Sequence, residues 1–175
     1  MSKGAIMIIS KSRRLACIAL CILGATSIAF ALDKPKDEVI LTISGNVESN
    51  NAGGTADFDM NMLAALPQHS FTTKTPWYPT AIKMTGPLLR DVLAAAGAKG
   101  TVLTAAALND YKTTIPAEDA SNYNVIVARL MDGKPMPVRN KGPLFIIYPF
   151  SAHPELQVER YYGRSAWQLR SLSVK

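Results

Sequence analysis

The chain has 175 residues and a formal charge of +6, with two cysteines, two histidines and two tryptophans. Four of the 19 basic residues lie within residues 1–31 and all 13 acidic residues follow, so residues 32–175 carry a formal +2. That charge is too small for the basic field expected of a nucleic-acid-binding protein. Cys17 and Cys21 both precede residue 32, which excludes disulfides, thiolate metal ligands and a cysteine nucleophile from the remainder.

Residues 1–31 have the pattern of a cleaved signal peptide. A basic start is followed by an apolar run from Leu15 to Ala31, and Ala29-Phe30-Ala31 fits the small-x-small cleavage rule. An uncleaved membrane anchor is the alternative, although the run is slightly short for a span of about 20 residues. Arg13-Arg14 is also compatible with twin-arginine export. We predict a signal peptide over residues 1–31, a periplasmic location, and one domain formed by residues 32–175.

Beyond residue 31 the apolar pattern predicts strands and short helices. In chain order these are a strand over 39–47, a short helix over 57–67, an irregular surface segment over 70–84 leading into an edge strand, a helix over 86–100, a strand over 101–108, a helical turn over 115–122, and strands over 125–130, 142–149 and 167–175. Asp132-Gly133 predicts a tight hairpin turn. Without regular βαβ repeats, this inventory predicts a mixed, coil-rich α+β fold in a single domain.

The usual catalytic and metal-binding patterns do not occur in this sequence. His69 and His153 both lie in loop-like sequence, and neither has a second ligand at helical or hairpin spacing. No serine or threonine stands in a nucleophile motif, and the glycine-rich stretch near residue 50 lacks phosphate-loop spacing. We therefore predict no metal site and no catalytic residues.

The remaining candidates have planar or hydrogen-bonding side chains. They are Thr72, Thr73, Trp77, Asn109, Asp110, Tyr111 and Arg139. Aromatic faces with a few aimed polar groups suit a flat heterocycle, and a carboxylate can accept both hydrogen bonds of a guanidine-like N–H pair. These residues predict a small-molecule binding site.

Each candidate also has a purely structural interpretation. Asn109-Asp110 is a natural turn pair, which alone explains its position after an apolar strand. Trp77, which follows a proline, could simply cover the core, and Arg139 could belong to a solvated loop. The sequence leaves these alternatives open.

The order of several motifs resembles the sulfite-oxidase-type molybdopterin-binding domain. The resemblance rests on GPLLRDVL, ALNDYKTTIPAEDA, VIVARLMDGKPMPVRNKGPLFIIYP and SAWQLRSLSV, and it covers roughly residues 39–175. It implies a mixed, coil-rich α+β fold. In that family a cysteine thiolate ligates molybdenum, but the corresponding segment here, FTTKTPWYPTAIKM, has no cysteine. The family also commonly has Lys-Trp where this chain has Ala166-Trp167, so the resemblance implies that a basic contact to the cofactor is lost.

The sequence also resembles small exported pterin-binding proteins of the PruR type. That resemblance implies a non-enzymatic pterin sensor that acts on an inner-membrane diguanylate cyclase or phosphodiesterase, and hence on cyclic di-GMP and biofilm formation. It implies that FTTKTPW, ALNDY and the Arg139 loop line the pocket. Trp77 or Tyr111 would stack on the ring, Asn109 and Asp110 would bind its pyrimidine edge, and Arg139 would meet an oxygen.

Two other functions remain open from the sequence. One is a molybdopterin-dependent oxidoreductase, or an accessory subunit of one. The other is an interaction domain whose pocket has decayed and whose surface binds a partner directly. Molybdopterin is the less favoured ligand because the sequence lacks the soft sulfur donor that anchors the metal.

Overall fold

The computed structural model of the protein describes Met1 and residues 32–175. The predicted signal peptide and its cleavage site therefore lie, apart from Met1, outside the described residues. In the part of the chain that is described, no helix is long and apolar enough to span a membrane. The α-helices are short: α1 (Met60–Ala65), α2 (Leu89–Ala95), α3 (Glu118–Asn122) and α4 (Glu159–Arg164). Two 3₁₀ helices cover Val138–Asn140 and Pro154–Leu156.

Among the described residues, eleven strands are interspersed with these helices. They are β1 (Leu41–Gly45), β2 (Ala56–Phe58), β3 (Gln68–Thr75), β4 (Tyr78–Pro87), β5 (Val102–Ala107), β6 (Lys112–Pro116), β7 (Ile126–Ala128), β8 (Leu130–Met131), β9 (Lys134–Pro135), β10 (Phe145–Ile147) and β11 (Leu169–Val174). The predicted mixed α+β fold is confirmed.

The largest sheet has five strands in the order β2-β1-β11-β5-β6. The C-terminal strand β11 lies at its centre, parallel to β1 and antiparallel to β5. In the sequence, the alternation of apolar and polar residues over Leu169, Leu172 and Val174 slips by one position at Ser171. The register of β11 against β5 shifts at the same place, between Leu169 and Ser171. Leu169, Leu172 and Val174 are buried, so the two-residue period of the strand accounts for the apolar positions on either side of the slip.

The segment 70–84 is not irregular, and this prediction is wrong. Strands β3 and β4 pair over almost their full length, from Gln68↔Pro87 to Thr75↔Tyr78. Pro76 lies in the connection and Pro79 one residue inside β4, so neither proline interrupts the middle of the pairing. The threonines and aromatic residues that looked like surface coil favour extended backbone.

The β3-β4 hairpin extends into a four-stranded sheet, β3-β4-β8-β9. The pairing Met131↔Lys134 leaves Asp132 and Gly133 as the turn, with φ values of 50° and 77°. Both positive angles are those of a type I′ hairpin, which confirms the turn predicted from this dipeptide. Strand β4 also passes close to β7: a Cβ atom at Gly86 would overlap the Val127 carbonyl oxygen.

Short helices close the open faces of these sheets. Asp59 caps α1: its Oδ1 accepts the Met62 N–H at 2.8 Å and its Oδ2 accepts the Lys36 N–H at 2.8 Å. These backbone hydrogen bonds, the one from Met62 first, lower the pKa of Asp59. Helix α2 buries Leu89, Val92 and Leu93. It begins at Leu89, three residues later than the predicted range of 86–100, because Gly86 and Pro87 belong to β4.

Candidate functional site

Trp77 lies at the centre of an aromatic cluster built from distant parts of the chain. It is half-buried in the turn between β3 and β4. Its indole ring meets four other rings, with centroid distances of 5.5 Å to Phe145, 5.5 Å to Trp167, 5.9 Å to Tyr162 and 6.3 Å to Phe150. These tilted and edge-to-face contacts are the favourable arrangements for aromatic pairs. They hold the hairpin turn against β10, α4 and the segments that carry Phe150 and Trp167.

Asn109, Asp110 and Tyr111 form the turn between β5 and β6 and are exposed. The Ala107 N–H donates to the Tyr111 carbonyl at 2.9 Å, and the Tyr111 N–H donates to Asn109 Oδ1 at 3.3 Å. Asp110 has a φ of 64°, a left-handed conformation that aspartate tolerates better than most residues. The turn interpretation of this trio therefore has direct support in the backbone, and the carboxylate of Asp110 remains exposed.

Tyr111 links this turn to helix α4. Its hydroxyl donates a 2.7 Å hydrogen bond to the Gly163 carbonyl oxygen. Gly163 follows Tyr162, whose ring contacts Trp77. The β5-β6 turn and the aromatic cluster thus lie against the same short helix.

Gln168 ties the same turn to the loop that carries Arg139. Its carbonyl accepts the Leu108 N–H at 2.9 Å and its backbone N–H donates to the Lys141 carbonyl at 2.9 Å. Its side-chain amide donates to the Val138 carbonyl at 2.9 Å. Gln168 has a φ of 51°, so a strained residue lies at the point where three segments meet. These bonds join two of the predicted segments, ALNDY and the Arg139 loop, and the contact between Trp77 and Trp167 brings the third, FTTKTPW, to the same end of the molecule.

Arg139 lies within the 3₁₀ helix Val138–Asn140, and Lys141 directly follows that helix. Arg139 is exposed, whereas Lys141 is half-buried. The Lys141 Nζ atom lies 4.3 Å from the centre of the Trp167 ring and 5.7 Å from that of Tyr78. Both distances are within cation–π range.

Tyr78, whose ring lies 5.7 Å from this ammonium, carries an unusual hydroxyl group. Its hydroxyl is buried and has no hydrogen-bond partner among the described residues. Burial raises the pKa of Tyr78. A buried hydroxyl without a hydrogen-bond partner reduces the stability of the folded state. A ligand whose donor or acceptor reached this hydroxyl would provide the missing hydrogen bond.

The two predicted threonines have different surroundings. Thr72 is exposed on β3. Thr73 is fully buried, and its hydroxyl oxygen accepts the Ser151 N–H at 3.0 Å. The Lys74 N–H donates to Ser151 Oγ at 2.9 Å. Thr73 therefore holds β3 against the loop after β10, in which Phe150 precedes Ser151.

Behind the cluster lies a buried polar network. The Asp119 carboxylate is almost fully buried, and its Oδ2 accepts the Tyr148 hydroxyl at 2.7 Å and the Arg164 guanidinium at 2.9 Å. Arg164 also lies over the Tyr161 ring at 5.1 Å. Since its guanidinium is committed to Asp119, Arg164 serves to anchor α4 against α3.

Sequence reasoning missed several members of this site. Gln168 gave no signal, since two of its three hydrogen bonds to the neighbouring loops are made by its backbone. Trp167 was noted only as part of a motif. It lies two residues before β11, the central strand of the five-stranded sheet, and reaches the site from there. Four surface clefts of about 200 to 460 Å³ also occur, and none of them is lined by the predicted site residues.

The aromatic rings, the cation and the hydrogen-bonding loops at this end of the molecule are groups that suit a flat heterocycle. The chain matches the oxidoreductase molybdopterin binding domain family over residues 31–152 and belongs to that family. Membership in this family supports pterin-related binding. No curated protein matches the chain.

The site fits the ring of such a cofactor better than its metal. Residues 32–175 contain no cysteine, and the described part of the chain has no group of three or more His, Cys, Asp or Glu side chains placed to hold a metal ion. Thiolate sulfur is the soft donor that suits a transition metal held by a dithiolene-type cofactor. The aromatic faces of Trp77 and Trp167 and the ammonium of Lys141 suit a planar ring.

Proposed function

We propose that the protein is a non-enzymatic pterin-binding sensor of the periplasm. It binds a small pterin at the end of the fold that carries Trp77 and passes the ligand state to an inner-membrane enzyme that makes or degrades cyclic di-GMP. The observation that carries the binding step is the Trp77-centred aromatic cluster, with Lys141 above Trp167. Family membership supports a pterin-type ligand.

The absence of cysteine from residues 32–175 supports a binding protein over a molybdenum enzyme. Without a thiolate, the chain lacks the ligand by which enzymes of the sulfite-oxidase type hold their metal. A flat ring needs no such ligand, because stacking and a few hydrogen bonds provide its affinity. In this function the Asn109-Asp110 turn would bind the pyrimidine edge of the ring.

Export and the membrane partner rest on the sequence alone. The basic and apolar pattern of residues 1–31 supports export, and the resemblance to small exported pterin-binding proteins supports the partner enzyme. N-terminal sequencing of protein recovered from the periplasm should begin at Leu32. Recovery of an intact residue 1–31 segment in the membrane fraction would contradict this part of the proposal.

Titration with a reduced pterin tests the binding step. Isothermal titration calorimetry of the protein with tetrahydropterin should show one site with a dissociation constant in the micromolar range or below. The two tryptophans of the chain both belong to the cluster, so their fluorescence should change in parallel. Absence of heat and of a fluorescence change at about millimolar ligand, near −4 kcal/mol of binding free energy, would refute pterin binding.

A molybdopterin-dependent oxidoreductase, or an accessory subunit of one, is the second candidate. The family match favours it, since members of this family are usually oxidoreductases. Metal analysis of protein purified from its export compartment separates the two functions. Molybdenum at one equivalent per chain would favour the enzyme, whereas a pterin without metal would favour the sensor.

A further inference from the structure

We propose that Lys141 makes the site selective for pterins that carry a negative charge on the ring substituent, as a carboxylate or a phosphate. This inference rests on the proposed pterin-binding function and names the class of ligand within it. Its basis is the position of the Lys141 ammonium, 4.3 Å from the centre of the Trp167 ring and 5.7 Å from that of Tyr78.

Among residues 32–175, the Lys141 charge has no acidic partner. Ion pairs in the described part of the chain join Lys99 to Glu48, His153 to Glu155 and Arg164 to Asp119, and none involves Lys141. A half-buried ammonium has lost part of its hydration, and aromatic faces replace only some of that stabilisation. An anionic group on a ligand would restore it.

The sequence around Lys141 is positive as well. No acidic residue occurs between Asp132 and Glu155, whereas Lys134, Arg139 and Lys141 all lie in that interval. A local excess of one sign raises the concentration of oppositely charged ligands near the surface. Arg139 is exposed two residues before Lys141 and adds to the same field.

Hydrogen bonds hold the backbone of Lys141 in one conformation. Lys141 has a φ of 71°, its N–H donates to the Val138 carbonyl at 3.2 Å, and its carbonyl accepts the Gln168 N–H at 2.9 Å. The residue directly before Gln168 is Trp167, so the backbone of Lys141 and the ring beneath its ammonium belong to one hydrogen-bonded unit. Such a preorganised donor loses less freedom when it binds an anion.

The Tyr78 hydroxyl is a second observation that points to a ligand here. It is buried without a partner among the described residues, and its ring lies within range of the Lys141 ammonium. A phenol donates to a carboxylate or phosphate oxygen readily. Because this hydroxyl is buried, it would reach an anionic group only where the ligand displaces the side chains around it, and the Lys141 ammonium remains the group that carries the selectivity.

Matched ligands that differ in charge test the selectivity. The probes are 6-hydroxymethylpterin, pterin-6-carboxylate and 6-hydroxymethylpterin phosphate, titrated by calorimetry at low salt and at about 0.15 M salt. The wild-type protein should bind the anionic probes roughly tenfold more tightly than the neutral one, the size of one hydrogen bond to a charged group. The preference should shrink at the higher salt.

Substitution assigns the preference to one side chain. Lys141→Met keeps the length of the side chain and the backbone requirement but removes the charge, and it should bring the ratio of anionic-probe to neutral-probe affinity to within about twofold. Lys141→Arg should keep most of the preference. Lys134→Met, which removes an exposed lysine of the same segment, is the matched control and should lower the ratio far less than Lys141→Met does, because it removes only part of the surrounding charge.

Each outcome separates the two proposals. Tighter binding of both anionic probes, lost in Lys141→Met, supports the inference, and a preference for only one of them identifies the anion as carboxylate or phosphate. Equal binding of neutral and anionic probes by the wild type, or a preference that Lys141→Met retains, overturns this inference and leaves pterin binding in place. If no probe binds the wild type, the proposed function itself fails.

Discussion

The indole rings of Trp77 and Trp167 meet edge to face, with centroids 5.5 Å apart and planes inclined by 74°. Trp77 comes from the β3-β4 turn and Trp167 from the stretch that leads into β11. The contact therefore joins the long hairpin to the central strand of the largest sheet. Ligand binding at either ring would therefore affect both the hairpin and the central strand.

Trp77→Leu should weaken tetrahydropterin binding at least tenfold, because it removes the ring at the centre of the cluster. It should also lower the free energy of unfolding by about 1–3 kcal/mol, since Trp77 is only half-buried. Calorimetry gives the first quantity and urea denaturation the second. Tyr111→Leu is the comparison: if that variant loses binding and Trp77→Leu does not, Tyr111 is the stacking residue instead.

Asp110 requires a more careful substitution than alanine. Its φ of 64° is tolerated by asparagine and glycine but costs alanine about 1 kcal/mol. Asp110→Asn should therefore keep the thermal midpoint of the wild type while lowering pterin affinity roughly tenfold, since a neutral amide accepts the N–H pair more weakly.

Asp110→Gly provides the control for the backbone. It should be as stable as the wild type and should bind pterin no better than Asp110→Asn. Unchanged affinity in both variants would show that Asp110 serves only the turn. In that case the turn interpretation of Asn109-Asp110 is sufficient.

Local patterns in the sequence predicted the parts of the fold that local forces determine. Asp132-Gly133 adopts the positive φ angles of its turn, and the slip at Ser171 coincides with a register shift. Both features depend on a few adjacent residues. The sequence predicts coil for the β3-β4 hairpin because prolines usually interrupt strands. The pairing shows that Pro76 and Pro79 lie at the turn end of the hairpin.

The site depended on contacts that no local pattern encodes. Trp77 meets Phe145 and Trp167, which follow it by 68 and 90 positions in the printed sequence. Gln168 joins two loops mainly through its backbone, and its side-chain identity gives no hint of that role. The planar residues could be picked from the sequence as a group, whereas their arrangement around Lys141 could not.

Gly86→Ala should destabilise the protein by about 2–3 kcal/mol or more, the upper range for overpacking. An added Cβ would overlap the Val127 carbonyl oxygen in the neighbouring strand, and backbone atoms cannot rotate away as a side chain can. Urea denaturation measures the loss. Since β4 leads back to Trp77, we also expect weaker pterin binding.

Gly163→Ala is the matched control for the glycine substitution. Nothing lies within 4 Å of a Cβ at Gly163, and the residue is inside α4, where alanine is favoured by up to about 1 kcal/mol. This variant should be as stable as the wild type or slightly more so. Equal losses in both variants would contradict the close approach of β4 and β7.

Tyr148 should make the protein sensitive to alkaline pH. Burial, and then the hydrogen bond to Asp119, raise the pKa of Tyr148 above its ordinary value. The unfolded chain releases this proton near pH 10, whereas the folded chain keeps it. Stability is therefore fully present below about pH 10 and falls above it, by up to about 1.4 kcal/mol per pH unit for this one group.

Tyr148→Phe isolates that contribution. At neutral pH it should cost about 1–2 kcal/mol, because the buried Asp119 carboxylate loses one of its two hydrogen bonds. Between about pH 10 and 11 the variant should lose stability less steeply than the wild type, while the raised pKa of Tyr78 leaves part of the decline in both proteins. Urea denaturation at a series of pH values gives the difference between the two curves. Parallel curves across this range would mean that Tyr148 ionises as easily in the folded chain as in the unfolded one, and its bond to Asp119 would then not be formed.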